Sequence, residues 1–536
     1  MRRWHRSSTA WRTWVLLGGT LLSGCRQGTE REATVVYATG ADLEGANPIT
    51  TVHPLSRQVQ RYVLLVTLVR FDSLLKPVPY AARTWRWSSD RRSVTLSLDR
   101  TLRWHDGVPT TAADVAFTYS AAIDPASGSP RAADLASVER VSAVGDTAVR
   151  FDFRWPQAEL PTVFAELALA PAHLLASVPR ADLRRAAYNT APVGNGPFRF
   201  VRRDAGHRWV FERNPDFPES MGGPPQLQRL VVTLVDEPTT KFAGLVAGDL
   251  DVAGVSPTMA ATVSADPTLR VVSYPVLFSN VIVFNASRPP FDDVRVRRAM
   301  DALIDRQRLV DVALAGYGTP ADGPFPSTHP FWAPASPLAA QAADSLLDAA
   351  GYTRVGSAIR ARGASRLTFE LLTVGSGDNT VEQLVQGDLR RHGIEMQIRQ
   401  LELGAFLAQA RAKDKTFDAL ITGVPGDLAM AYLRGMFASS LRGGGLDYAG
   451  FHTPTLDSTF AEIQRRTDEA GQRRAWAALQ NVLRAEVPVA WLYHSRGVQG
   501  VARSLDHVDM DLRGEMVSVT RWSRHANHTA QRASVP

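Results

Sequence analysis

Between residues 367 and 423 strand-like and helix-like segments alternate, and this rhythm narrows the fold more than any other feature of the chain. Leu367–Val374, Met396–Leu401 and Phe417–Gly423 are short apolar runs of strand length. Val381–Arg391 and Ala405–Ala412, between them, read as helices. Parallel strands need a crossover and a helix supplies one, so the succession predicts an α/β fold with a largely parallel sheet under packed helices. At 536 residues the chain is too long for one core, and two or three domains are expected.

A second stretch, Pro289 to Pro320, carries two helix starts. Pro289 and Pro290 end whatever precedes them, and Asp292 and Asp293 offer acceptors to the free N–H groups of a helix beginning there. Val296, Ala299, Met300, Leu303 and Ile304 then fall on one helical face. Asp305 restarts the pattern through Leu309, Val312 and Ala313, and Gly316 ends it. Further elements are expected at Val59–Phe71 (helix), Ser93–Leu98 (strand), Ala112–Ile123 (helix capped by Thr110 or Thr111), a hairpin of Val138–Val144 with Ala148–Phe153, strands over Val271–Asn285, helices at Leu428–Phe437 and Gln472–Glu486, and a strand at Val487–His494.

Chemistry of a catalytic kind has no local signature here. The chain lacks a Gly-x-Ser-x-Gly elbow, a His-Glu-x-x-His helix and a phosphate loop. The 12 histidines are scattered without helical metal spacing, and Cys25 is the single cysteine, so neither a metal nor another cofactor is expected. His105–Asp106 sits beside Gly107 and reads as a turn. The formal charge of +7 comes from 60 basic residues of which only four are lysine. No basic run interleaved with aromatics accompanies it, so nucleic acid is not an expected partner.

The first 24 residues read as a signal. Arg2, Arg3, Arg6 and Arg12 precede an apolar stretch, Trp14–Leu22, too short to span a bilayer. Leu22-Ser23-Gly24-Cys25 resembles a bacterial lipobox, which implies cleavage before Cys25, a lipid on its sulfur and a polar tether over 25–32. The expected address is extracytoplasmic or periplasmic, anchored to a bacterial membrane.

The stretch from Pro289 through Met300 to Gly316–Pro320 resembles a signature of the dipeptide, oligopeptide and nickel class of solute-binding proteins, the receptors of ABC importers. Tyr80–Asp90 with Leu102–Pro109, and Pro192-Val193-Gly194-Asn195-Gly196-Pro197-Phe198-Arg199-Phe200, are similar to two more signatures of that class, and the likeness covers roughly residues 33–520. It implies a periplasmic-binding-protein-like fold, two lobes joined by a hinge with an additional small α/β domain. Domain I would comprise 33–72, 192–280 and 495–525, domain II 73–191 and domain III 281–494, with a disordered tail over 526–536. The implied function is capture of a peptide or peptide-like solute and delivery to an ABC permease complex, by a monomer without enzymatic activity. The alternatives are a sensor or chaperone lipoprotein without a transporter and a secreted enzyme on the same scaffold.

The resemblance also assigns a cleft. In peptide-binding relatives a strand carries an aromatic residue and then an aspartate that pairs with the ligand's ammonium; Asp427 matches the aspartate, while Gly423 or Val424 stands where the aromatic belongs. As a turn residue Asp427 could equally cap the helix expected at Leu428–Phe437. Thr39, Asp42, Asn280, Thr422 and Tyr448 are the other expected cleft residues. The loop Thr373–Thr380 lacks an arginine or lysine to anchor a ligand carboxylate, which favours a longer peptide, a modified peptide or another solute over a dipeptide held by both ends.

Overall fold

The computed structural model describes residues 33–524, apart from 336, 337, 357, 376–378, 427 and 429. Cys25, Asp427 and the tail expected over 526–536 therefore lie outside the described residues. Eleven strands form one mixed sheet: β1 (Thr34–Thr39), β2 (Phe198–Asp204), β3 (Arg208–Arg213), β4 (Arg229–Leu234), β5 (Val252–Gly254), β6 (Leu269–Phe284), β7 (Gly318–Pro320), β8 (Thr368–Val374), β9 (Glu395–Leu401), β10 (Ala419–Pro425) and β11 (Val489–Ala502). Their order is β9-β8-β10-β6-β11-β5-β1-β4-β3-β2, with β7 beside β11.

The sheet is built from two parallel trios set on either side of an antiparallel pair. β4, β1 and β5 run parallel, and so do β9, β8 and β10. Between them β6 (16 residues) and β11 (14 residues) pair antiparallel over nearly their whole length. The first half of β6 and the last half of β11 belong to one lobe, and the last half of β6 and the first half of β11 to the other. Where they cross, the register slips between Pro275 and Ser279. Proline has no N–H to give the ladder, so a strand that contains one accommodates it at an irregularity.

Helices cover both faces of the second lobe. Val296, Met300, Leu309, Leu347 and Leu389 pack with Phe284, Phe291 and Leu371 on one face, and Phe406, Leu433, Phe460, Trp476 and Leu479 pack with Leu420 and Trp491 on the other. The helix starts read from sequence hold: Asp293 accepts from Arg295 N–H at 2.9 Å and Asp305 from Arg308 N–H at 3.0 Å. Arg297, buried within the first of these helices, donates to Phe291 O at 2.7 Å and to Glu486 O at 2.9 and 2.7 Å. The guanidinium there satisfies the Glu486 carbonyl that the end of helix Glu469–Glu486 leaves free. In the first lobe a four-stranded antiparallel sheet, in the order Ala82–Trp87, Ser93–Leu98, Ala148–Phe153, Val138–Val144, carries helix Ala112–Ile123. Thr111 and Asp114 close a capping box at its start, and Tyr119, Phe151 and Phe164 meet at centroid distances of 4.4–5.4 Å.

Three expectations are corrected. The helix expected over Val59–Phe71 stops at Leu64, and Val69–Phe71 is strand. The crossover Pro192–Pro197 takes up the backbone here: Asn195 and Gly196 N–H donate to Leu64 O, and Val66 N–H donates to Asn195 Oδ1 at 3.1 Å. This segment is buried all round, so its apolar pattern could not distinguish helix from strand. The helix expected at Leu428–Phe437 begins only at Tyr432, with Ala431 as N-cap and Met430 at φ +54°, and a residue in that left-handed region does not continue a helix. The several strands expected over Val271–Asn285 are the single β6, because a register shift replaces the turn.

Candidate ligand cleft

Strand direction locates the site. β10 is antiparallel to β6 with Pro425 opposite Phe278, so its carboxyl end reaches the crossing. β5 is antiparallel to β11 with Gly254 opposite Gln499, so its carboxyl end reaches the crossing from the other lobe. The parallel neighbours of β5 and β10 point the same way. Ligands of open α/β sheets lie outside the carboxyl ends of the strands, where the order reverses, and here two such places face one hinge.

On the second lobe the crossing presents a polar set. Ser279 Oγ lies 2.8 Å from His494 Nδ1, and Asn280 Nδ2 donates to Ser495 Oγ at 3.2 Å. Burial holds His494 down at about 4, outweighing the Phe325 backbone and the Asp322 charge that favour a proton, so the ring is neutral. Thr373 donates to Glu382 Oε1 at 2.5 Å. Burial, with the Glu382 charge, pushes Tyr493 up to about 12. The Phe278 ring stands over Gly423: a Cβ there would meet its Cζ at 2.2 Å. Phe278 is 39 % exposed at the carboxyl end of β10. An aromatic thus occupies the place where Gly423 supplies none, donated by the neighbouring strand.

On the first lobe Tyr37, in β1, and Gln499, in β11, both donate to Glu515 Oε2, Gln499 from 3.1 Å. Tyr274 Oη lies 3.4 Å from the same Gln499 Nε2. Burial pushes the Glu515 carboxyl up to about 7, and no cation among the described residues offsets it. Gln499 Oε1 is buried without a hydrogen bond.

The expected cleft residues divide. Asn280 is at the crossing, and Thr422, paired with Val281 one residue beyond, is half-buried. Thr39 ends β1, where its hydroxyl exchanges hydrogen bonds with the Ala41 backbone. The Asp42 carboxylate is occupied by Arg203 at 3.0 Å, Trp209 Nε1 at 2.8 Å and Leu43 N–H at 2.7 Å. Burial pushes its pKa up, but these donors outweigh it and hold the carboxyl below the usual range. Asp42 thereby fixes its loop to β2 and β3. Tyr448 is buried in the core that includes Phe437 and Trp476. Sequence reasoning missed Phe278, Ser279, His494 and Glu515. The one available signal was Pro275, a residue that a long central strand admits only at a break.

Farther from the hinge the lobes approach again. A cavity of about 310 Å³ is lined on one side by Trp155 and Leu160 of the first lobe, and on the other by Phe331, Met430, Ile463 and Trp476 of the second.

Residues 76–441 match the family described as bacterial extracellular solute-binding proteins, family 5 Middle. The chain is 30% identical to Protein XP55 of Streptomyces lividans over 91% of its own length and 88% of that protein. Among solved structures, the oligopeptide-binding protein AppA of Bacillus subtilis in complex with a nonapeptide superposes with a TM-score of 0.75 at 22% identity, over 92% of this chain and 99% of that one. NikA of Brucella suis in complex with Fe(III)-EDTA does so at 0.80 and 21%, over 92% and 100%. These two share the fold. With the family match spanning most of the chain, the protein belongs to the bacterial extracellular solute-binding proteins of family 5.

Proposed function

We propose that the protein captures a peptide or peptide-like solute between its two lobes and delivers it to an ABC importer, without altering it chemically. The observation that carries the reading is the convergence of two sets of strand carboxyl ends on one hinge, with the exposed ring of Phe278 and the polar groups of Asn280 and Ser495 beside it. AppA, of the same fold, holds a nonapeptide. Thr39, Asn280 and Thr422 are assigned to the cleft wall, Asp42 to its support and Asp427 to the ligand's ammonium. The domains divide at 72/73, 191/192, 280/281 and 494/495, the last two within β6 and β11 near their crossing. Cys25 carries a lipid that holds the protein at a membrane outside the cytoplasm.

Thermal-shift titration of the mature chain with peptides of two to ten residues tests the ligand class, because a ligand that binds only the folded state raises its melting temperature with concentration. Longer peptides are expected to stabilise most and to be recovered intact by mass spectrometry. A clear preference for free dipeptides, or cleaved products, would overturn the reading. Cys25→Ala is expected to abolish membrane partition in detergent, and equal retention would exclude the anchor.

A further inference from the structure

Away from the cleft, the first lobe gathers buried and half-buried guanidiniums around a largely enclosed space. Arg57, Arg61 and Arg131 converge on Glu166 at 2.5, 3.4 and 3.1 Å, with Asp134 also on Arg131 at 2.9 Å. Burial alone would push the Glu166 carboxyl up; the three guanidiniums more than reverse this and hold it at about 2. Arg513 pairs with Asp511 at 2.5 Å. Arg70 lies 3.7 Å over the Tyr80 ring and donates to Tyr80 Oη at 2.6 Å, and no carboxylate among the described residues pairs with it. With Asp72, whose charge also reaches Arg513, five guanidiniums stand against four carboxylates.

Arg61, Arg70 and Arg513 line one largely enclosed cavity of about 70 Å³, together with Tyr62 and Thr67. Arg61 is 5 % exposed, and its Nε–H, like that of Arg70, is buried with no acceptor. Buried N–H groups are rarely left so, and a charged group taken out of water without a partner is costly. Water would fill the donors' need, since roughly 10–15 Å³ suffices for each molecule. Water brings no charge, however, and the imbalance is one of charge.

We propose that this cavity is a binding site for a small inorganic anion of halide or phosphate size, held by Arg61, Arg70 and Arg513. The anion compensates the surplus guanidinium charge and ties three separated stretches together: the helical turn Gln60–Leu64, the strand Val69–Phe71 and the segment 513–517. It is independent of the solute cleft and of what that cleft carries.

The test is the melting temperature of the full chain at pH 7 and constant ionic strength, titrated with chloride or with phosphate against gluconate, an anion too large for the cavity. A saturable rise of about 2 °C or more in chloride or in phosphate is expected, and the arm that responds identifies a halide or an oxyanion. Arg70→Gln is expected to remove the response and Arg202→Gln, at the surface, to keep it; should Arg70→Gln fail to fold, Arg70→Lys is expected to weaken the response at least tenfold in concentration. Crystals soaked in bromide, if chloride is the responding arm, are expected to show an anomalous peak in the cavity. An equal rise in gluconate, an unchanged response in both Arg70 variants, or water alone in the cavity would overturn the proposal.

Discussion

Glu515→Gln isolates the energetic weight of one buried carboxyl at the hinge. In the parent, Oε2 accepts from Tyr37 Oη and Gln499 Nε2, and a glutamine retains an oxygen for both while removing the charge. Burial carries the carboxyl from its ordinary 4.5 to about 7. At about 1.4 kcal/mol per pH unit, this corresponds to about 3 kcal/mol at most, less where water reaches the half-buried side chain. Because the folded-state pKa is raised, the folded protein keeps a proton that the unfolded chain has already released. That contribution is fully present below pH 4.5 and is lost as pH rises through 7. Urea unfolding of parent and variant at pH 5 and pH 8 reads the effect as a difference of differences. His105, His329 and His494, each held near 4 by burial, slope the other way between 6.5 and 4, but they do so in both proteins and cancel. The variant is expected to gain about 2–3 kcal/mol on the parent between the two pH values. A stability gap that does not move with pH would refute the argument that Glu515 is desolvated and unpaired.

Other expectations concern the cleft and the crossover that frames it. Phe278→Ala is expected to weaken the best peptide by about tenfold, roughly the 1–2 kcal/mol of a half-buried ring, with the melting temperature nearly unchanged; unaltered affinity would place the ring off the ligand's path. Gly194→Ala is expected to cost about 1–3 kcal/mol in urea unfolding, because its new Cβ would lie 2.0 Å from Leu64 O, a backbone atom that cannot swing aside. A variant as stable as the parent would show that the crossover has room to shift.

Much of the scaffold was legible because its signals were local. The capping acids Asp293 and Asp305, the strand lengths around β8, β9 and β10, and the hairpin about Gly145 each depend on residues a few positions apart. The helix Pro454–Arg465 left its signal too, a Thr453 that accepts from Leu456 N–H at 3.2 Å ahead of a proline, yet it went unread. What stayed hidden depends on distant partners. The chain turns extended after Leu64 because Asn195, over a hundred residues on, takes its backbone hydrogen bonds. Phe278 fills the gap over Gly423 only because β6 and β10 are neighbours, and Asp42 is drawn from the solvent by Arg203 and Trp209. No window along the sequence contains both members of such a pair.

The placement of β11 has a bearing on how the protein is made. Its last half borders both β5 and β6 through Gln499, Gly500 and Val501, some 250 residues after β5 has been synthesised. Until that last strand emerges, β5 has a bare edge and the first lobe's sheet stops at it, although most of the lobe's residues are already out of the ribosome. Non-local pairing of this kind is slow because a long loop must close before any bond is gained. A chain that cannot finish its N-terminal lobe until its C-terminus arrives stays open through most of its translation, the form in which a polypeptide can be threaded through a narrow membrane channel.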